Sequence, residues 1–133
     1  MSLLTLADAI ITQLVAGGAK NPHLADFEAR PTGPYTRVYS DPGFAYANGY
    51  DGKSNRVSVR WQIISVTNSR RGVLDMVGDV RNALTDFSPG GTPESGRLSE
   101  EFAGPVFEIE DAPLDVRFSL TLNYVMTTHR GEV

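Results

Sequence analysis

The stretch RVSVRWQIISVTNSRRGVLDMVGDVRNALTDF, residues 56–87, holds two different hydrophobic periods back to back. In its first part Val57, Val59, Trp61 and Ile63 recur every second residue, the period of a strand with one buried face. Ile64 and Val66 add apolar groups to the other face, so the far end of this strand is expected to be covered on both sides. In the second part Val73, Val77, Val80, Leu84 and Phe87 recur at three- and four-residue steps, the period of a helix with one apolar stripe. Ser69 stands where an N-cap belongs, and the spacing predicts a helix over 70–86. Asp75, Asp79 and Arg81 fall off the stripe and are expected to face water.

Upstream, Leu3, Ala7, Ile10 and Leu14 predict a first helix over 3–16, with Ser2 or Thr5 as cap and Gly17-Gly18 as its end. Leu6, Ile11 and Val15 widen its apolar stripe, which suggests that more than one side is covered. Between Lys20 and Pro34, Pro22, Pro31, Gly33 and Pro34 forbid a long helix or a central strand. YTRVYS (35–40) alternates enough for a short strand. The polar, glycine-bearing tract DPGFAYANGYDGKSNR then leads to Val57, and its thirteen residues from Gly43 to Asn55 exceed the two to five that a tight hairpin needs. Phe44, Tyr46 and Tyr50 in this tract are aromatic groups that suit an interface better than a free loop.

Downstream, SPGGTPESG breaks the chain. Residues 106–110 suggest a strand, with Gly104-Pro105 interrupting it upstream, and Val116, Phe118, Leu120, Leu122 and Tyr124 alternate to make the last one. The order is helix, strand, strand, helix, strand, strand. This αββαββ pattern implies an α+β domain with an antiparallel or mixed sheet and both helices on one face, leaving the other face solvated or covered by another chain.

The totals agree with one domain: 133 residues, 41% hydrophobic and 21% charged, with no cysteine for disulfides or thiolate metal sites. A net charge of −4 argues against a protein whose main task is to grip nucleic acid. No apolar run reaches membrane-spanning length. The first residues lack a basic lead and contain Asp8, so no signal peptide is expected.

Catalytic chemistry finds little to stand on. The two histidines, His23 and His129, have no partner at metal-ligand spacing. GGTPESG lacks the G-K-[ST] ending of a phosphate loop. Glu108 and Glu110 share one strand face, where an acid/base pair is conceivable and a solvated edge is the plainer reading. Asp51, Ser54 and Asn55 offer oxygens, but Lys53 and Gln62 fall where a calcium loop needs ligands.

In its order of segments the chain resembles the tail terminator, or tail completion, proteins of long-tailed bacteriophages, especially the small minor tail proteins of phages of actinobacteria. The resemblance rests on LADAIITQLVAG, on PYTRVYSDPGFAYANGYDG, on residues 56–87 and on FSLTLNYVMTT. The tract from Lys20 to Pro34 departs from it by its length. The resemblance implies a structural virion protein, not an enzyme, with no cofactor. It implies a homo-oligomeric ring, expected to be a hexamer, at the head-proximal end of the tail. That ring stops polymerisation of the tail tube protein and presents a surface to a head-completion or connector protein. DNA passes through it without specific binding, and assembly takes place in the host cytoplasm. On this reading Phe44, Tyr46, Tyr50, Asp51, Lys53 and Arg56 are candidate assembly-interface residues. Another head–tail connector or neck component, or a monomeric small-ligand-binding α+β domain, are the alternatives.

Overall fold

The computed structural model of the chain describes residues 3–24, 34–41, 44–45, 56–91, 96–110 and 116–129, with the backbone alone at Phe44, Ala45, Arg56, Ile109, Glu110, Val116 and His129. Helix α1 (Leu3–Ala16) leads to strands β1 (Pro22–Leu24), β2 (Tyr35–Ser40), β3 (Phe44–Ala45) and β4 (Arg56–Thr67). Helix α2 (Arg70–Leu84) follows, then β5 (Ser99–Ala103), β6 (Phe107–Glu110) and β7 (Val116–His129). The seven strands form one mixed sheet in the order β1-β2-β4-β7-β5, in which β3 also pairs with β4 and β6 with β7. Among the described residues only the β1–β2 pairing is parallel. The α+β fold read from the two periods is the fold observed.

β4 and β7 are the seam of the molecule. They pair antiparallel from Arg56↔His129 to Thr67↔Phe118 without a register shift. On one face of this ladder Val57, Val59, Trp61 and Ile63 meet Leu120, Leu122, Tyr124 and Met126, all buried. Both helices close this face. α1 contributes Leu6, Ala7, Ile10 and Leu14, and α2 contributes Val73, Val77, Val80, Ala83 and Leu84, to a single hydrophobic cluster. Trp61 is fully buried at its centre, and its indole Nε1 has no hydrogen-bond partner. That cost of about 1–3 kcal/mol is set against the large apolar area of the ring.

Local chemistry sets the helix ends. Ser69 has extended backbone and its Oγ accepts from the Gly72 N–H at 3.0 Å, the N-cap expected from the sequence. α2 stops at Leu84, two residues earlier than the periodicity predicts, because Thr85 caps it and Asp86 takes a φ of 57°. Phe87 therefore packs on the core from beyond the helix. α1 ends as expected at Gly17-Gly18, with Gly18 at φ +87°. Gly17 serves a second purpose, since a Cβ there would lie 2.4 Å from the Cβ of Ala83 where the two helices meet. Gln13 Nε2 donates to the Ala83 carbonyl at 2.8 Å across the same contact.

Both outer strands are interrupted. Ser40 pairs with Trp61 and Phe44 with Ser58, so three residues of the chain stand against two of β4. Along β7 the register shifts once at Glu101 and again between Ala103↔Leu122 and Phe107↔Ser119. β2 with β3, and β5 with β6, are thus each one bulged strand, and the chain is two αββ halves joined at β4–β7. Among the described residues no helix is long and apolar enough to cross a membrane.

Candidate assembly surface

The tract singled out for assembly is shorter than the sequence suggests. Phe44 belongs to β3, opposite Ser58, not to a loop, and Arg56 is the first residue of β4, opposite His129. The connection is therefore residues 46–55, ten residues instead of thirteen. Tyr46, Tyr50, Asp51 and Lys53 lie outside the described residues. The base of this hairpin sits at the end of the sheet where β4 begins and β7 finishes. The base of the other hairpin, residues 111–115, sits at the opposite end.

The sheet face turned away from the helices is unequal along its length. Near the start of β2 it is closed: Tyr35, Val66, Arg117 and Ser119 are all buried. The guanidinium groups of Arg37 and Arg117 lie over the Tyr35 ring at 5.4 and 5.7 Å from its centroid, a doubly cation–π-stacked tyrosine. This is the coverage expected from Val66. Near the end of β2 the face is open. Tyr39, Ser40, Asp41, Arg60, Gln62 and Asn123 line a shallow depression of about 320 Å³.

Asp41 holds the rim of that depression through its backbone and side chain together. Its N–H donates to the Arg60 carbonyl, and its Oδ1 accepts from the Arg60 N–H, both at 3.1 Å. This repairs the ladder where β2 breaks off. The Arg60 side chain reaches outward to Glu101, with Nε 3.3 Å from Oε2. Asn123 Nδ2 donates to the Phe102 carbonyl at 3.4 Å. An amide pair, a carboxylate and a guanidinium here can recognise polar groups.

Glu108, conceivable in the sequence as half of an acid/base pair, stands opposite Phe118 on the outer strand and is exposed. Among the described residues no three His, Asp or Glu side chains come together as a metal site. A second acid, Glu100, has a structural task instead. It accepts from Arg81 Nε of α2 at 2.7 Å, and with burial it pushes the Tyr124 hydroxyl up to about 12, Arg81 pulling the other way. Burial is the larger cause.

The chain matches no protein-family model and no curated protein. Its surface must therefore speak through its own residues. Among the described residues the large apolar side chains left exposed are Leu4 and Val15 on α1, each 61% exposed, Phe102 and Phe107 on the outer strands, each 60%, and Leu74 on α2. The phenylalanines were not legible as a pair in the sequence. Phe102↔Asn123 and Phe107↔Ser119 place them on the same sheet face only because two register shifts intervene. The signal available was compositional: EEFAGPVFE sets two aromatic residues among acids, around a Gly-Pro break.

Proposed function

We propose that this chain is a subunit of a phage tail terminator, a ring that caps the head-proximal end of the tail tube and offers a docking surface to the head. The observation that carries this reading is the placement of its exposed large apolar side chains. Among the described residues they stand on the outer strand, on α1 and, as Leu74, on α2, and none of them lines the depression at Tyr39 and Arg60. A ring subunit with a neighbour on either side needs such a distribution, whereas an enzyme or receptor gathers its apolar groups round a pocket.

The segments that carry the resemblance coincide with α1, with β2 to α2, and with β7, the scaffold of both αββ halves. A net charge of −4 suits a wall along which DNA slides without sticking. On this reading the hairpin of residues 46–55, with Phe44 and Arg56 at its base, meets the tube or the head protein. The test adds the purified chain to the polymerising tube protein of the same phage and images the product. Short tubes with the chain at one end are expected. Tubes of unaltered length with no bound chain would overturn the reading.

The depression at Tyr39, Asp41, Arg60, Gln62 and Asn123 favours a second reading, a small polar ligand bound by a lone domain. Its about 320 Å³ is at the lower end for ligand sites and it is open to solvent. A thermal-shift screen with amino acids, sugars and nucleotides that moved the midpoint would support this second reading over the first.

A further inference from the structure

We propose that copies of this chain join head to tail, the α1 flank of one copy seating against the phenylalanine flank of the next. This rests on the ring reading above and names the two surfaces it requires. On α1, Leu4, Ile11 and Val15 are seven and eleven residues apart, which sets all three within about 20° of one line along the helix. Gln13 lies half a turn round from that line and bonds to α2, so the line faces away from α2. α1 packs over β1 and β2, and α2 over β4 and β7. The apolar line is therefore the lateral limit of the molecule on its β1 side. Phe102 of β5 and Phe107 of β6 lie at the opposite edge of the sheet, on the face turned away from the helices.

Two unlike patches on opposite flanks cannot satisfy each other within one molecule. They can do so between successive copies, and a contact of unlike patches closes into a ring when its rotation permits. The dimensions agree. Leu4 to Val15 spans eleven residues of helix, about 16 Å. Phe102 to Phe107 spans the four residues of β7 from Asn123 to Ser119, about 13 Å.

The charges agree at one end of the two lines. Exposed Asp8 lies towards the Leu4 end of the helix line, and exposed Lys20 follows its Val15 end. On the other flank Arg60, bridged to Glu101, lies at the Phe102 end, whereas Glu108, paired with Phe118, stands on the opposite sheet face from Phe107. With Leu4 set against Phe102 and Val15 against Phe107, Asp8 approaches Arg60. A charge pair of this kind fixes register and polarity more than affinity.

The test measures mass by analytical ultracentrifugation over a concentration series for the full chain, Val15→Arg, Phe102→Arg and an equimolar mixture of the two variants. Both positions are exposed in the subunit, so circular dichroism should show unchanged folding. Leu4→Arg and Phe107→Arg replace any variant that fails this check. The unaltered chain is expected to assemble, and each variant alone to associate at least about tenfold more weakly. The mixture should stop at dimers, since each variant retains one intact flank complementary to the other's. Variants that assemble like the unaltered chain overturn the pairing while leaving the ring reading intact. A mixture that forms no dimers also overturns it, because like would then meet like. An unaltered chain that stays monomeric at every concentration overturns it too, and the tube-capping assay then judges the ring reading alone.

Discussion

In the first half of the chain, β2 and β3 run along one side of β4, and β1 covers the edge beside β2 in parallel pairing. In the second half, β5 and β6 run along β7, and among the described residues no strand pairs with their outer edge. All five residues of β5 are exposed, whereas Tyr35, Thr36 and Val38 of β2 are buried. The same αββ plan thus ends once in a closed edge and once in an open one. An open edge invites indiscriminate pairing, and this one carries the usual deterrents: two register shifts, Pro105, and exposed Glu100, Glu101 and Glu108. Phe102 and Phe107 stand among those deterrents, so contact there must be made through side chains in a fixed arrangement and not through a free backbone ladder. On the proposed head-to-tail contact, the difference between the halves is one between a surface that only has to be stable and one that has to be selective.

The seam that both halves share should be the most sensitive part. Trp61→Ala is expected to lower unfolding free energy by about 3–5 kcal/mol in a denaturant titration. Trp61→Phe, which removes the unpartnered indole N–H, should cost less than half as much. A loss under about 1 kcal/mol for Trp61→Ala would mean that the seam is not the core.

The next largest effect contrasts two glycines of the second half. Gly96 is buried at φ +113°, and a Cβ there would lie 2.6 Å from the Thr127 carbonyl oxygen of β7. Gly96→Ala should cost about 2–3 kcal/mol. Gly104, at the break in the open edge, has its nearest contact for a Cβ at 3.7 Å, the same kind of carbonyl oxygen on Thr121. Gly104→Ala should cost under about 1 kcal/mol, and equal losses at both positions would erase the distinction between fitted connection and tolerant edge.

Smaller still is the cap of α2. Ser69→Ala should lower the unfolding free energy by about 1 kcal/mol, seen as a lower denaturation midpoint at unchanged slope. Smallest in stability, and largest in assembly, is the replacement of residues 46–54 by a short glycine-rich turn. The thermal midpoint should move by no more than about 2 °C, since loop closure depends weakly on length. A collapsed midpoint with assembly intact would make that hairpin part of the scaffold.

How much of this was legible follows from what each element buries. β4, β7 and both helices could be read because one face of each is covered, which imposes a period of two or of three to four on the sequence. β1 could not, since Pro22, His23 and Leu24 are three edge residues with no face to alternate. β3 escaped for a similar reason: a two-residue strand after a register shift leaves no pattern, and Phe44 therefore looked like loop. β5 escaped because all five of its residues are exposed. β7 runs five residues past Tyr124, where Thr127, Thr128 and His129 mask a strand that continues by pairing with the start of β4. Of the proposed assembly surfaces, the sequence pointed only at the hairpin, because Phe102 and Phe107 come to one side only after two bulges have turned them there.

The uninterrupted β4–β7 ladder also has a mechanical meaning. Its bonds lie across the strand direction, and its twelve residues of β4 span about 40 Å between the bases of the two hairpins. A pull applied along the strands, one hairpin against the other, loads all of these bonds at once in shear. A pull across the sheet peels the outer strands first, because each is broken by a register shift that interrupts the load path. The fold is stiff along the line that joins its two ends and yielding at its sides, so any tension applied between those ends would pass through its centre and leave its flanks free to adjust.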